Sequence, residues 1–431
     1  LDEDVRIKMS QLLKRSTKRR RDLFAAIDIG GSKICCAIAK VDDRSSESAL
    51  RIIGIGQQIS RGVKGGNITN LDELEDSILN AVHSAEQMAG ERIEEVYVNL
   101  AASATQSHTL DVKLPLNGQA VDENHIRRLL FMGRHDSPLE SRYIVHALPI
   151  AYAIDDKEGI RDPRGLIGEE LTATFHVVSA TNSSLQNLIN CIGRCHLDVI
   201  GFVATPYASG LSTLVEDEVE LGVTIIDLGG GQCSIASFLE GALIHLDHVA
   251  LGSAMITSDI ARGLSTPLAQ AERLKTLYGS TIIASTDERE TVFVPPLGEG
   301  MLHQNQQVPK TMLTHIIRAR CEEMLELIWR RLQESGMDRL VCQRIVLTGG
   351  GSQLPGIRDL AASLWNRQIR MGLPLGLNGG GDMANNPSFS TCAGILKYAW
   401  RDYLGGQEHY RTTHENSGFW QKLVNWVKDN F

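Results

Sequence analysis

The 431 residues suffice for two or more domains with cores of their own, and 42% hydrophobic with 22% charged residues marks an ordinary folded protein. A net charge of −9, from 43 basic and 52 acidic residues, argues against broad nucleic-acid binding. No apolar run reaches the ~18–20 residues that span a bilayer, and the charged opening lacks the apolar core of a secretory signal.

Residues 1–21 carry eight basic residues against three acidic ones and no clear apolar face. They read as a disordered basic arm, with weak attraction to anionic lipid as the functional alternative. Phe24–Ile29 and Ile34–Val41 are apolar runs around Ile27-Asp28-Ile29-Gly30-Gly31-Ser32-Lys33, which predicts a hairpin with a glycine turn at its tip. Ile52–Ile59 is a third strand, and Ser60–Gly66 a loop. Asn70 or Asp72 is placed to cap a helix running to about Ala89, with Leu74, Ile78, Ala81, Val82 and Ala85 on one stripe. Val96–Ala101 returns as a strand.

Residues 101–181 break this rhythm. They read as strand, helix (about 122–134), strand (142–154), a glycine-proline loop (159–168) and strand (170–179), enough for a small α+β module. His125, His135 and His146 share no face and read as structural or solvated. Leu185–Cys195 is a helix and Asp198–Ala204 a strand, after which Thr205–Gly210 crosses to a second half. Cys191 and Cys195 have helical spacing, but no histidine pair completes a zinc set, so the spacing is one of a helix face. The eight scattered cysteines, mostly at apolar positions, suit a reducing cytosol.

The second half opens on the strand Gly222–Ile226 and repeats the earlier phrase as Ile226-Asp227-Leu228-Gly229-Gly230-Gly231-Gln232. Ser253–Tyr278 is largely helical, Thr281–Pro296 reads as strands of a small lobe, and Thr311–Glu334 is a long helix. A third glycine turn follows a strand at Ile345-Val346-Leu347-Thr348-Gly349-Gly350-Gly351-Ser352 and opens a helix, Leu354–Leu364. Ser390–Tyr398 is the last helix of the folded body. Residues 401–416 are a polar linker. In Phe419–Phe431, at 100° per residue, Phe419, Trp420, Leu423, Val424, Trp426, Val427 and Phe431 fill an arc of about 160°, with Lys422 and Lys428 on the other side. At ~20 Å this helix is too short to span, but it suits the lipid interface; docking on the protein's own core is the alternative.

Glycine lets the backbone turn tightly and approach a ligand, and successive exposed N–H groups make a nest for phosphate. An aspartate at the strand end is placed to hold a metal ion carried by that phosphate. One such turn is usually only a turn. Three of them, two with aspartate in register, point to a nucleotide clamped between two similar halves.

The trio resembles the two phosphate loops and the adenosine loop of the actin, sugar-kinase and heat-shock-chaperone superfamily. Beyond that, the chain from about residue 22 to 431 is similar to the FtsA family of actin-like cell-division proteins. The likeness rests on Ser60-Arg61-Gly62, Glu220-Leu221-Gly222 before Asp227-Leu228-Gly229-Gly230-Gly231, Ser258-Asp259-Ile260-Ala261, Ala271-Glu272-Arg273-Leu274-Lys275 and Val346–Gly351.

The resemblance implies an α/β, actin-like, two-lobed fold with the cleft between duplicated halves. The first lobe is then 22–100 with 182–215 and 380–400, carrying a family-specific subdomain at 101–181. The second is 216–252 with 311–379, and 253–310 forms its small subdomain. Residues 417–431 become a membrane-targeting amphipathic helix. ATP and Mg2+ are implied, with Gly30, Gly31, Ser32 and Lys33 on one side of the phosphates and Gly229, Gly230 and Gly231 on the other. Asp28 and Asp227 fall at the metal. Gly349, Gly350, Gly351 and Ser352 fall at the adenosine, and Glu272 and Lys275 near the ribose and base.

The implied role is a filament on the cytoplasmic face of the inner membrane at the division site. It tethers the FtsZ C-terminal tail and recruits later divisome membrane proteins. The lobe at 253–310 is implied to meet the FtsZ tail, and Arg262, Arg273 and Lys275 are basic residues there.

Two departures matter. The superfamily's second loop usually continues Gly-Thr-x-Asp, whereas this chain has Gly231-Gln232-Cys233-Ser234. The crossing strand elsewhere offers Glu or Gln to orient the attacking water, and Ile200–Tyr207 offers neither. At most slow ATP hydrolysis is expected. The alternatives are a small-molecule kinase of the same superfamily, for which no catalytic aspartate stands out, and a pilus-assembly adaptor, which the terminal helix speaks against.

Overall fold

The computed structural model describes residues 22–42, 50–135, 142–283, 289–297 and 306–411. The basic arm at 1–21 and the amphipathic segment at 417–431 lie outside the described residues. The chain opens with strands β1 (Leu23–Ile29), β2 (Lys33–Val41) and β3 (Leu50–Ile59), an antiparallel meander. Helix α1 (Leu71–Ala89) follows. Asn70, rather than Asp72, is its cap: the Asn70 side chain accepts from the backbone N–H groups of Asp72 and Glu73. Its buried stripe is the one read from the sequence, joined by Ser77. Each large aliphatic side chain buried there contributes about 1.5–3 kcal/mol. Strand β4 (Glu95–Leu100) then pairs parallel to β1.

The inserted module comprises β5 (Thr105–Pro115), α2 (Glu123–His135), β6 (Arg142–Ile154), β7 (Lys157–Ile160) and β8 (Glu170–Thr181), in sheet order β5-β8-β6-β7. Short β7 falls partly in the stretch expected to be loop. The module has a small core of its own around Leu114, Leu129, Leu171 and Phe175.

Helix α3 (Asn182–Arg194) and strand β9 (Asp198–Ala204) complete the first half, and α4 (Thr205–Thr213) and α5 (Glu216–Leu221) lead out of it. The second half repeats the plan with β10 (Val223–Leu228), β11 (Cys233–Leu239) and β12 (Ala242–Val249) as the meander. Next come α6 (Ser253–Gly263), α7 (Leu268–Tyr278), the two-stranded β13 (Thr291–Val294) and β14 (Gln306–Pro309), and α8 (Lys310–Glu334). Strand β15 (Arg344–Thr348), helix α9 (Ile357–Trp365), β16 (Gln368–Met371) and helix α10 (Ser390–Arg411) close the described chain.

The first sheet runs β9-β4-β1-β2-β3, with a two-residue edge at Asn378–Gly379; the second runs β16-β15-β10-β11-β12. Each is three antiparallel strands followed by two parallel ones. In each, the aspartate of the first strand pairs across the hairpin seven residues on: Asp28 with Cys35, Asp227 with Ser234. The two halves are therefore built alike. Between them lies a shared core in which Tyr207 and Ala208 of α4 and Ala393, Leu396 and Ala399 of α10 pack with Ala26, Ala37, Ile225 and Phe238 of the two sheets. Helices α4 and α10 thus cross from lobe to lobe.

Two expectations are corrected. Thr281–Ile283 is not strand; among the described residues of that range only Thr291–Val294 is, and its partner is β14, beyond the predicted range. Residues 401–411 are helix, not linker. The helix continues because Tyr403 packs edge-on against Phe24 at 5.4 Å and is 9% exposed, and Tyr97 donates to Asp402 at 2.6 Å. All eight cysteines are buried and unbridged.

Candidate functional site

The hairpin tips of the two halves face each other. A side chain on Gly31 would meet the backbone N of Gly231 at 2.8 Å, and one on Gly230 would meet Ser32 Oγ at 1.7 Å. The third turn closes the side: Gly349 has φ +84°, and a Cβ there would meet Asp227 Oδ1 at 2.1 Å. Only glycine fits that conformation and that gap. A cleft of about 510 Å3 lies between these turns, well within the range of small-molecule sites.

Asp28, Gly30, Gly31, Ser32 and Lys33 line it from the first half, and Asp227 with Gly229–Gly231 from the second. Gly349–Gly351 line the third wall, and Glu272 and Lys275 of α7 the fourth. Of the residues named from the sequence for the nucleotide and its metal, only Ser352 is absent from the lining. It is buried and donates its hydroxyl to the Gly349 carbonyl at 2.7 Å, which holds the turn from behind.

Both aspartates sit at buried strand ends. Burial raises Asp28 to about 7, against the pull of Lys33 and with a further push from Asp227. Burial also raises Asp227, opposed by hydrogen bonds from Ser209 and Thr391 and by Lys33. Two buried carboxylates near one lysine leave a demand for positive charge. The Lys33 ammonium donates to Ser388 Oγ at 2.8 Å, which fixes it at the cleft wall. Among the described residues no cluster of three acidic, histidine or cysteine side chains could hold a metal alone. A cation beside Asp28 and Asp227 would need ligands from its guest, as Mg2+ characteristically does with phosphates and water. The glycine nests, the buried acid pair and the lysine fit such a guest.

On the fourth wall Lys275 pairs with Glu272 at 2.8 Å and donates to Thr257 Oγ1 at 2.9 Å. Its ammonium also reaches the Ser253 carbonyl at 3.3 Å. Lys275 is thus turned into the cleft, whereas Arg262 and Arg273 are exposed.

Several contributors were not legible beforehand. Asn99 on β4 accepts from the Ile29 backbone N–H at 2.7 Å and donates to Thr205 Oγ1 at 3.1 Å, tying the first turn to the crossing helix. Ser209 and Thr391 donate to Asp227. The one signal for Asn99 is an amide inside the otherwise apolar run Val96–Leu100. Gln232, which stands where the superfamily has threonine, accepts from the Ser103 backbone N–H at 3.3 Å. Of the crossing stretch Ile200–Tyr207, Thr205 alone lines the cleft, and its hydroxyl is given to the Leu100 carbonyl at 2.8 Å.

Comparison with known proteins gives the family and the fold. A family model described as Cell division protein FtsA matches residues 224–394, and one described as SHS2 domain inserted in FTSA matches 102–179. The cell division protein FtsA of Rhizobium meliloti (strain 1021) is 42% identical over 430 residues, covering 97% of each chain. That of Escherichia coli (strain K12) is 30% identical over 420 residues, covering 95% of this chain and 99% of the relative. Among solved structures, a PilM-PilN type IV pilus biogenesis complex superposes with TM-score 0.62 at 14% identity, covering 88% of this chain and 99% of that one. MreB5 of Spiroplasma citri bound to ADP gives TM-score 0.54 at 11% identity, covering 90% and 98%. At such identities these two report the fold alone, an actin-like one. With relatives this similar over nearly its whole length, the chain belongs to the FtsA family of cell-division proteins.

Proposed function

We propose that this protein is an ATP-gated adaptor of cell division. It binds Mg-ATP between its lobes and polymerises on the cytoplasmic face of the inner membrane. It anchors there through residues 417–431, tethers the FtsZ C-terminal tail and recruits later divisome membrane proteins. The observation that carries the reading is the convergence of two aspartate-bearing glycine turns on one cleft, in a chain of the FtsA family. Asp28 and Asp227 would hold the metal, the glycine turns and Lys33 the phosphates, and Gly349–Gly351 with Glu272 and Lys275 the nucleoside end. Ser352 supports that turn from behind. The bound nucleotide supplies the metal's remaining ligands.

Turnover is slow on this reading. Positioning of the attacking water is part of the rate in phosphoryl transfer. The side chains near the expected place, Gln232 and Thr205, are engaged with Ser103 and Leu100. A kinase would need a carboxylate poised over a substrate hydroxyl beside the cleft. The acid on the fourth wall, Glu272, is instead paired with Lys275.

The test is titration with a fluorescent ATP analogue, with and without Mg2+, alongside phosphate release by the pure protein. Magnesium-dependent binding with phosphate release far below that of a chaperone ATPase is expected. No binding at millimolar nucleotide overturns the cleft assignment, and fast turnover overturns the adaptor reading.

A further inference from the structure

A second cavity, of about 200 Å3, lies away from the nucleotide cleft, where the inserted module, the crossing helices and the second sheet meet. Tyr207, Gly210 and Leu211 form one stripe of α4 along its wall, and Leu214, the residue after the helix, continues it. Leu148 of β6 and Phe238 of β11 add apolar surface. Two cations of α10, Lys397 and Arg401, one turn apart, face the same space. Glu216 and Tyr207 are the other titratable groups of the lining.

The Arg401 guanidinium lies beside the Tyr207 hydroxyl. Lys397 has no carboxylate within ion-pair distance among the described residues, although it is half-buried. A desolvated ammonium without a partner is unfavourable. Burial, and then the neighbouring Arg401, bring Lys397 down to about 8. An apolar chamber with an unanswered positive charge at its edge is complementary to an apolar body carrying one negative group. The chamber is smaller than sites for drug-sized ligands, so its guest is fragment-sized.

We infer that this cavity is an effector site for a small apolar carboxylate, whose anion pairs with Lys397 and Arg401 and whose hydrocarbon body fills the space between α4 and α10. Its position gives it a route to the nucleotide cleft. Ser209, which holds Asp227, is next to Gly210 of the cavity wall. Thr391, which also holds Asp227, is about 9 Å along α10 from Lys397. Occupancy would therefore bias the crossing helices and change nucleotide affinity. That second clause rests on the cleft binding nucleotide.

The probe is hydrocinnamate, titrated by calorimetry into the full-length, nucleotide-free protein, with its neutral alcohol as the control. The acid should bind about tenfold or more tightly than the alcohol. Lys397→Met should lose that margin while Lys397→Arg keeps most of it, with both variants checked for an unchanged thermal transition. Equal binding of acid and alcohol, undiminished binding by a folded Lys397→Met, or no binding overturns the site. If the Met variant does not fold, the acid-to-alcohol comparison on the native chain decides. Binding of hydrocinnamate with no change in ATP-analogue affinity overturns the effector role alone. Failure of the protein to bind nucleotide in the probe's absence counts against the proposed function and leaves the carboxylate site standing.

Discussion

Ser209 on the crossing helix α4 donates its hydroxyl to Asp227 Oδ2 at 2.7 Å, and both residues are buried. Thr391 on α10 donates to the same oxygen at 3.1 Å. The carboxylate at the end of the second sheet is therefore held by both elements that join the lobes. Removing a donor from a buried carboxylate leaves it short of a partner, at about 1–3 kcal/mol. Ser209→Ala should lower stability by that amount in urea melts. It should also weaken magnesium-dependent nucleotide binding, with a larger loss when combined with Thr391→Val.

Two adjacent glycines should behave differently. A Cβ at Gly349 would meet Asp227 Oδ1 at 2.1 Å in a left-handed backbone, whereas one at Gly350 finds nothing nearer than Ser388 Cβ at 3.7 Å. Gly349→Ala should destabilise the protein by roughly 1–3 kcal/mol and distort the cleft. Gly350→Ala should fold normally. Gly350→Asp should fold as well but lose nucleotide binding, because it puts a side chain and a negative charge into the space next to the nucleotide. Melting curves and nucleotide titration on the three variants separate the effects.

Stability should fall with acid in a particular window. His146 and His176 are buried, and burial with neighbouring positive charge or histidine pushes both down to about 3. Below about pH 6.5 the unfolded chain takes up protons that the folded chain refuses, so their contribution is lost as pH falls towards 3. Each histidine contributes a slope of about 1.4 kcal/mol per pH unit there. Asp28, raised to about 7, works in the opposite sense: the folded state keeps its proton, and that stability is lost as pH rises from about 3.8 to 7. Urea denaturation between pH 4.5 and 7 should show a shallower acid limb for His176→Gln, and Asp28→Asn should lift stability near pH 7 in the absence of nucleotide.

The lobe around α6 and α7 exposes Leu268, Leu277 and Phe293, each more than half exposed, near the exposed basic residues Arg262 and Arg273. An acidic and apolar FtsZ tail would suit that surface. Lys275 is no part of it, since it faces the cleft. Charge reversal at Arg262 and Arg273 together should weaken tail binding about tenfold or more in an anisotropy titration. Unchanged affinity would place the contact elsewhere.

Residues 417–431 should carry membrane binding. Burying each large apolar side chain is worth about 1.5–3 kcal/mol, and ordering each residue costs ~1–2 kcal/mol. Burial of Phe419, Trp420, Leu423, Val424, Trp426, Val427 and Phe431 together is of about the same size as that cost and leaves little net gain. One helix should bind weakly and reversibly, and many on one filament should be retained by avidity of ~10²-fold or more. Trp426→Glu should release the protein from liposomes in flotation. Deletion of 417–431 should do the same and leave ATP binding intact. Undiminished flotation of the truncated protein would point to the basic arm at 1–21.

The order of strands and helices was largely open to reading, because period and caps are local properties. The two hairpins, the aspartate at each tip and the stripe of α1 follow from residues a few positions apart. The inserted module announced itself by breaking the repeat. What the sequence could not determine lies in contacts between distant segments. Lys33 and Ser388 are 355 positions apart, and nothing near either one marks the other as its partner. Ser209 and Thr391 are ordinary hydroxyls on apolar helices until packing aims both at Asp227. Helix α10 outruns its predicted end at Tyr398 because Tyr403 finds Phe24, a surface that exists only once the first sheet has formed. Ser352, read with its glycine turn, faces the wrong way for the cleft because its hydroxyl closes that turn. Side-chain direction at such positions is set by which faces of distant elements bury each other, and that choice belongs to the tertiary structure.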